Sequence, residues 1–229
     1  MWFVTSEQTA GRGRRHRPWI APRGNLASTV LEVMDVSPAV AATLGFAAGL
    51  AIETALQKVS VEASLRSAGS EDMKFSLKWP NDVLAGRQKL VGIGLEAEAV
   101  ADRLAVVVGI GTNVVGAPEG MPTPATSLAA LGVNIGAEEL FAVLSDCWVE
   151  FRGIWDQGRG FGEIRRHWLE RAAGLGRGVA IHSGGTIVEG TFDTVDEAGC
   201  MIVRTLDGRR VPISAGDVYF GSAASAGAA

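Results

Sequence analysis

Lys74-Phe75-Ser76-Leu77-Lys78-Trp79-Pro80-Asn81-Asp82-Val83-Leu84-Ala85-Gly86-Arg87-Gln88-Lys89-Leu90-Val91-Gly92-Ile93-Gly94-Leu95-Glu96-Ala97 is a run of short β-forming segments broken by turn residues. Pro80-Asn81-Asp82 and Ala85-Gly86-Arg87 are turn signals, so Lys74 to Lys78, Val83 to Leu84 and Leu90 to Ala97 read as consecutive strands. Strict alternation puts Lys89, Val91 and Ile93 on one face, which aims Lys89 into a cleft floored by apolar side chains. The next strand, Leu104 to Val114, carries Gly109 and Gly111 two positions apart, a pattern that lets something approach one face closely. It is not a dinucleotide fingerprint, because no third glycine follows and no helix opens there.

Upstream of this meander, Trp2 to Thr5 and Leu26 to Val33 read as strands. Ser37-Pro38 supplies an N-cap and a proline at the first helical position of a helix reaching about Lys58. Ala39 to Leu56 is the longest apolar segment, but Thr43, Glu53 and Thr54 interrupt it, so it reads as a core helix and not a membrane span. Ser67 to Asp72 is a polar loop, and Gly116 to Pro124 is irregular and proline-rich.

Downstream, helical periodicity covers Ala137 to Trp155 and Phe161 to Arg171, and Gly174 to Gly178 reads as a linker. Val179 to His182, Ile187 to Val195, Cys200 to Thr205 and Arg210 to Ile213 follow as strands, with Asp207-Gly208 as a hairpin turn. This predicts an α+β fold: a mixed sheet packed on helices over residues 1–174, a small β-barrel or sandwich over 178–221, and a disordered small-residue tail over 222–229. A chain of 229 residues buries roughly 70% of its unfolded surface and needs no disulfides. Its two cysteines, Cys147 and Cys200, lie in apolar stretches without metal-ligand company and read as buried free thiols of a reducing cytoplasm.

The formal net charge is −4, which argues against a general nucleic-acid binder. Yet Gly11 to Arg23 holds five arginines (12, 14, 15, 17 and 23) and no acid. The run Gln8-Thr9-Ala10-Gly11-Arg12-Gly13-Arg14-Arg15-His16-Arg17-Pro18-Trp19 alternates glycine with arginine in a charged loop without apolar period. Guanidinium forks suit carboxylate and phosphate, and Trp19 offers a flat face to an adenine. Read by composition alone, the same run suits a nucleic-acid patch equally well. Asn81 and Asp82 are equally ordinary turn residues, and Lys89 an ordinary hairpin charge.

The three segments together, in this order and spacing, resemble the biotin protein ligase family. The carriers are the glutamine with Gly-Arg-Gly-Arg-Arg, the Lys-Trp-Pro-Asn-Asp turn followed by a lysine and glycine, and Gly-Ile-Gly-Thr-Asn. The resemblance runs from Trp2 to about Gly221. It implies the biotin–lipoate ligase core, similar to class II aminoacyl-tRNA synthetases, followed by an SH3-like barrel. It also implies activation of biotin by ATP as biotinyl-5′-AMP, with Mg²⁺ accompanying ATP, and transfer to a lysine of the biotin carboxyl carrier protein of acetyl-CoA carboxylase. By the same resemblance Gln8, Gly11, Arg12, Gly13, Arg14, Lys89 and Gly92 would bind biotin. Arg14, Trp19, Asn81, Lys89 and Asn113 would serve ATP, and Arg14 and Lys89 would be catalytic; no resident metal is expected.

With no signal peptide, no uninterrupted 18-residue apolar span and an acidic balance, the chain is expected in the cytoplasm, without membrane or nucleic-acid partner, and a homodimer is left open. The family's Ser-Thr-Asn segment lies upstream of its first strand, whereas Met1 already stands inside that strand. A misassigned start, a truncation or a pocket open on one side would each account for this. His16 stands where the family has glycine, which is expected to stiffen the loop, and no winged-helix segment is present. A lipoate-type ligase or a non-catalytic biotin-binding remnant is the alternative.

Overall fold

The computed structural model describes residues 1–13, 18–67, 74–120 and 123–221, with backbone alone at 66 and 67. Arg14, Arg15, His16, Arg17, most of the polar loop after Ser67 and the small-residue tail therefore lie outside the described residues. The first sheet consists of β1 (Trp2–Thr5), β2 (Leu26–Met34), β3 (Phe75–Lys78), β4 (Asp82–Ala85), β5 (Gln88–Val100) and β6 (Arg103–Thr112). Its order is β1-β2-β6-β5-β4-β3. Every strand pairing is antiparallel, which corrects the expected mixed sheet. Short connections from β3 through β6 leave no room for the crossovers that parallel neighbours require.

One face of this sheet is covered by α1 (Pro38–Ala42), α2 (Leu44–Ser67), α3 (Ala137–Trp155) and α4 (Phe161–Glu170). Ser37 Oγ accepts from Val40 N at the start of α1, as its sequence predicts. The single helix expected to about Lys58 is instead broken at Thr43 and continues to Ser67. Thr43 Oγ1 donates to the Val40 carbonyl and accepts from buried Trp155 Nε1 at 2.8 Å, so the break is fastened from α3. No glycine or proline follows Lys58 until Gly69, which is why the helix outruns its apolar segment. Helix α2 is long and apolar enough to cross a membrane, but its small and aliphatic residues, Leu44 through Leu56, fill the core.

Glu53 projects from the middle of α2 and is 4% exposed. Arg171, just past α4, reaches it at 3.1 Å. Burial raises the Glu53 carboxyl above its ordinary range, against the opposing pull of Arg171 and Gln57. A raised folded pKa means the folded state binds the proton more readily, so this group's contribution falls as pH rises through its folded pKa. Arg171→Met is expected to destabilise by about 2 kcal/mol at neutral pH, below the range for a fully buried pair because the arginine side chain is 32% exposed. The deficit should shrink in mild acid, where the isolated Glu53 protonates. Chemical denaturation at several pH values measures this, and a pH-independent deficit would refute it.

The second sheet is formed by β7 (Gly178–Ser183), β8 (Thr186–Val195), β9 (Met201–Arg204), β10 (Arg210–Ile213) and β11 (Asp217–Phe220), in the order β10-β9-β8-β7-β11. Among the described residues its outer strands β10 and β11 are not paired with each other, and this antiparallel sheet is consistent with a small barrel-like domain. Strand β11 was not anticipated from sequence. The second sheet meets the first at Lys78 of β3, whose ammonium lies 5.9 Å from the Phe220 ring of β11, and at the β8–β9 turn, where Trp79 Nε1 donates to Gly199 O at 3.0 Å.

A glycine-floored candidate active site

The face of the first sheet opposite the helices is set by register. Thr5, Ala27, Gly111, Gly92, Asp82 and Lys78 pair in turn across all six strands. The neighbouring row is Phe3, Thr29, Gly109 and Gly94. Two glycine pairs therefore lie side by side on β5 and β6, leaving a trough without side chains in the centre of the sheet.

Trp19 covers one end of this trough. A Cβ on Gly92 or Gly111 would fall 2.9 Å or 2.8 Å from its indole ring, so only glycine admits the ring there. Over Gly94 and Gly109 the described residues leave the floor uncovered: a Cβ on Gly94 would meet no atom of a described residue within 4 Å. The close approach expected of Gly109 and Gly111 is thus realised at Gly111 by Trp19, and among the described residues no side chain approaches Gly109 in the same way.

The position of Lys89 differs from the simple alternation. Pairing with β4 shifts between Val83 and Leu84, so Lys89 faces Leu84 while Val91 faces Val83. Leu90 is the extra residue of a β-bulge, and Leu90 and Val91 are both fully buried. Lys89 therefore shares a face with Gly92 and not with Val91 and Ile93. On that face it meets Gly92, the Trp19 indole and its register partner Leu84, in place of Val91 and Ile93. The bulge is held from outside the meander, because Lys89 N donates to Pro124 O at 2.7 Å and Thr126 N donates to Lys89 O at 2.9 Å. Lys89 Nζ lies 2.6 Å from Asp82 Oδ1 and 5.4 Å from the Trp19 ring centroid, a cation held between a carboxylate and an aromatic face. Asp82, read from sequence as turn chemistry, is the partner that the sequence reading missed.

The loop carrying the arginines is closed at its base. Arg12 and Pro18 form an antiparallel bridge, and Trp19 N donates to Gly11 O at 2.9 Å. The Gln8 side chain folds onto Gly11, where a Cβ would be 2.7 Å from its Oε1. Gln8, Gly11, Arg12, Gly13 and Trp19 are thereby gathered at one end of the trough, while Arg14 lies outside the described residues.

The two asparagines are engaged with backbone. Asn81 Nδ2 donates to Ile93 O at 2.7 Å, fastening the β3–β4 turn onto β5. Asn113 is 1% exposed and its Nδ2 donates to Thr126 O. Beside it, Asn25, which sequence reading passed over, accepts from the backbone amides of Val114, Val115 and Gly116. Together they shape the loop that follows β6, against which a cleft of about 870 Å³ opens, walled by Val115, Pro118, Thr126 and Leu131.

The biotin/lipoate A/B protein ligase family matches residues 2–113, and the biotin protein ligase C-terminal domain matches residues 174–221. A biotin–[acetyl-CoA-carboxylase] ligase of Paracoccus denitrificans is 36% identical, over 96% of this chain and 90% of that protein. The chain belongs to the biotin protein ligase family. A second biotin–[acetyl-CoA-carboxylase] ligase, of Mycobacterium tuberculosis, is 35% identical over 94% of this chain and 77% of its own length. The solved biotin protein ligase of Aquifex aeolicus in complex with biotin and ATP has the same fold. Its TM-score is 0.77 at 24% identity, over 96% of this chain and 89% of that one. The family resemblance expected from the three ordered motifs holds over nearly the whole chain.

Proposed function

We propose that this biotin protein ligase joins biotin to ATP as biotinyl-5′-AMP and passes the biotinyl group to a lysine of a biotin carrier protein, that of acetyl-CoA carboxylase. The observation that carries the reading is Lys89, held over a glycine floor beside Trp19, in a chain of this family. In the first step a biotin carboxylate oxygen attacks the α-phosphorus and pyrophosphate leaves. In the second, the neutral carrier amine attacks the acyl carbon and AMP leaves. Both steps bring anionic groups together or build charge, and a fixed ammonium at that point opposes their repulsion. The protein supplies positioning and charge, with no covalent intermediate of its own.

In this reading biotin lies along the trough over Gly92, Gly94 and Gly109, bounded by Gln8, Gly11, Arg12 and Gly13. Trp19, Asn81 and Asn113 shape the nucleotide's place, and Arg14 joins Lys89 at the reacting carboxylate and phosphate. Among the described residues no three His, Cys, Asp or Glu side chains converge as a metal cage. Mg²⁺ is assigned to ATP's own phosphates, which suits its preference for phosphate oxygens and retained waters. Residues 1–174 form the catalytic unit and 178–221 an SH3-like module. The substrates place the protein in the cytoplasm, with a carrier protein and not nucleic acid as its macromolecular partner.

Incubating the full chain with biotin, ATP, Mg²⁺ and an unmodified carrier domain tests this. Pyrophosphate release and a biotinylated carrier lysine are expected. Lipoate transfer in preference to biotin, or biotin binding without either product, would overturn the reading.

A further inference from the structure

Lys78 ends β3 and stands across from Asp82 in the row that runs through Gly92 and Gly111. Leu77 beside it is buried in the core, so Lys78 must face the trough side. Its ammonium lies 5.9 Å from the Phe220 ring centroid, so the second sheet supplies its cover. It makes no ion pair with any described residue, while the fields of Asp82, Lys89 and Asp217 reach it. Burial is the largest cause drawing its pKa below the ordinary lysine value; Lys89 adds to this, and Asp82 and Asp217 oppose it. A poorly solvated cation without a partner is costly to keep.

Lys89 has the opposite difficulty. Its ammonium already meets Asp82 at 2.6 Å. Turning to a substrate anion would leave Asp82, whose side chain is only 15% exposed, as a poorly solvated carboxylate with nothing against it. Lys78 is the next cation along the same row.

We propose that Lys78 is a positioning residue that takes over the charge of Asp82 when Lys89 turns to the substrate's carboxylate or phosphate. It acts through Asp82 and touches no substrate. Because Phe220 of β11 covers it, the second sheet takes part in adenylation through this one side chain. The inference rests on the proposed ligase activity and deepens it.

The experiment follows pyrophosphate release by the full chain, as wild type, Lys78→Met and Lys78→Arg, titrating biotin and ATP from about pH 6 to 10, across the range in which lysines lose charge. Lys78→Met is expected to lower kcat/KM about tenfold, the order of one charged hydrogen bond. Lys78→Arg keeps the charge and should retain most activity. Wild-type activity should fall with rising pH as Lys78 loses its proton, and this alkaline limb should move to higher pH in Lys78→Arg, whose guanidinium stays charged.

A purely structural lysine would change melting temperature and leave that limb where it is. Should Lys78→Met not fold, the shift between wild type and Lys78→Arg still decides. An inactive wild type would overturn the functional reading and this inference together. An active wild type with an unmoved limb in Lys78→Arg would overturn the inference alone.

Discussion

Lys89→Gln is expected to slow pyrophosphate release from biotin and ATP by about 10²- to 10³-fold, the range for removing one preorganised charge-stabilising donor. The ammonium is poised by three features that do not depend on substrate. Asp82 fixes it at 2.6 Å, the Trp19 face lies beneath it, and the bulge at Leu90 turns it onto the glycine face. Glutamine keeps much of the length and one hydrogen-bonding end, so it removes charge with little loss of packing. Removing the charge leaves Asp82, only 15% exposed, without its cation, which should cost about 2 kcal/mol, between an exposed and a fully buried pair. In a protein of this size that moves Tm by roughly 4–8 °C. Pyrophosphate release near the wild-type rate, in a variant melting within that range, would remove Lys89 from the chemistry. A larger fall in Tm would instead show that the lysine holds the β4–β5 bulge.

Much of this site was legible in the sequence, but the geometry that makes it work was not. Gly92, Gly94, Gly109 and Gly111 stand two apart on consecutive strands. Any hairpin whose tip lies at Ala101-Asp102 must pair Gly92 with Gly111 and Gly94 with Gly109, as the register does. That trough could have been drawn from spacing alone. The face of Lys89 could not, because Pro124 and Thr126, more than thirty residues downstream, hold the bulge that reverses the alternation. For the same reason Asp82 read as a turn residue: only the corrected face of Lys89 makes the two side chains neighbours.

Local signals fared well where the structure is local. Ser37-Pro38 starts its helix, and Asp207-Gly208 turns between β9 and β10. They fared less well where tertiary contacts decide. The helix break at Thr43 is fastened by Trp155 from α3. Strand β11 is only four residues long and pairs with β7, some forty residues earlier, so its own sequence gave little sign of it.

Gly94→Val should separate the trough's role from the sheet's stability. A Cβ at Gly94 meets no atom of a described residue within 4 Å, so valine enters without displacing its described neighbours. Glycine is a poor strand residue, and its replacement should leave stability unchanged or raise it by about 0.5–1 kcal/mol. The two methyl groups would nevertheless stand in the trough, over the row shared with Gly109 and Thr29. If biotin lies there, it must share its place with them. Overpacking of this kind costs about 1–3 kcal/mol, which is roughly 10- to 100-fold in KM for biotin. KM for ATP should change little, because Trp19 covers the other glycine pair and not this one. Gly94→Ala, with one methyl, should fall between the variant and wild type. Unchanged biotin KM in a well-folded Gly94→Val protein would place biotin elsewhere on the sheet. Equal losses for biotin and ATP would mean that the substitution disturbs the β5–β6 pair itself.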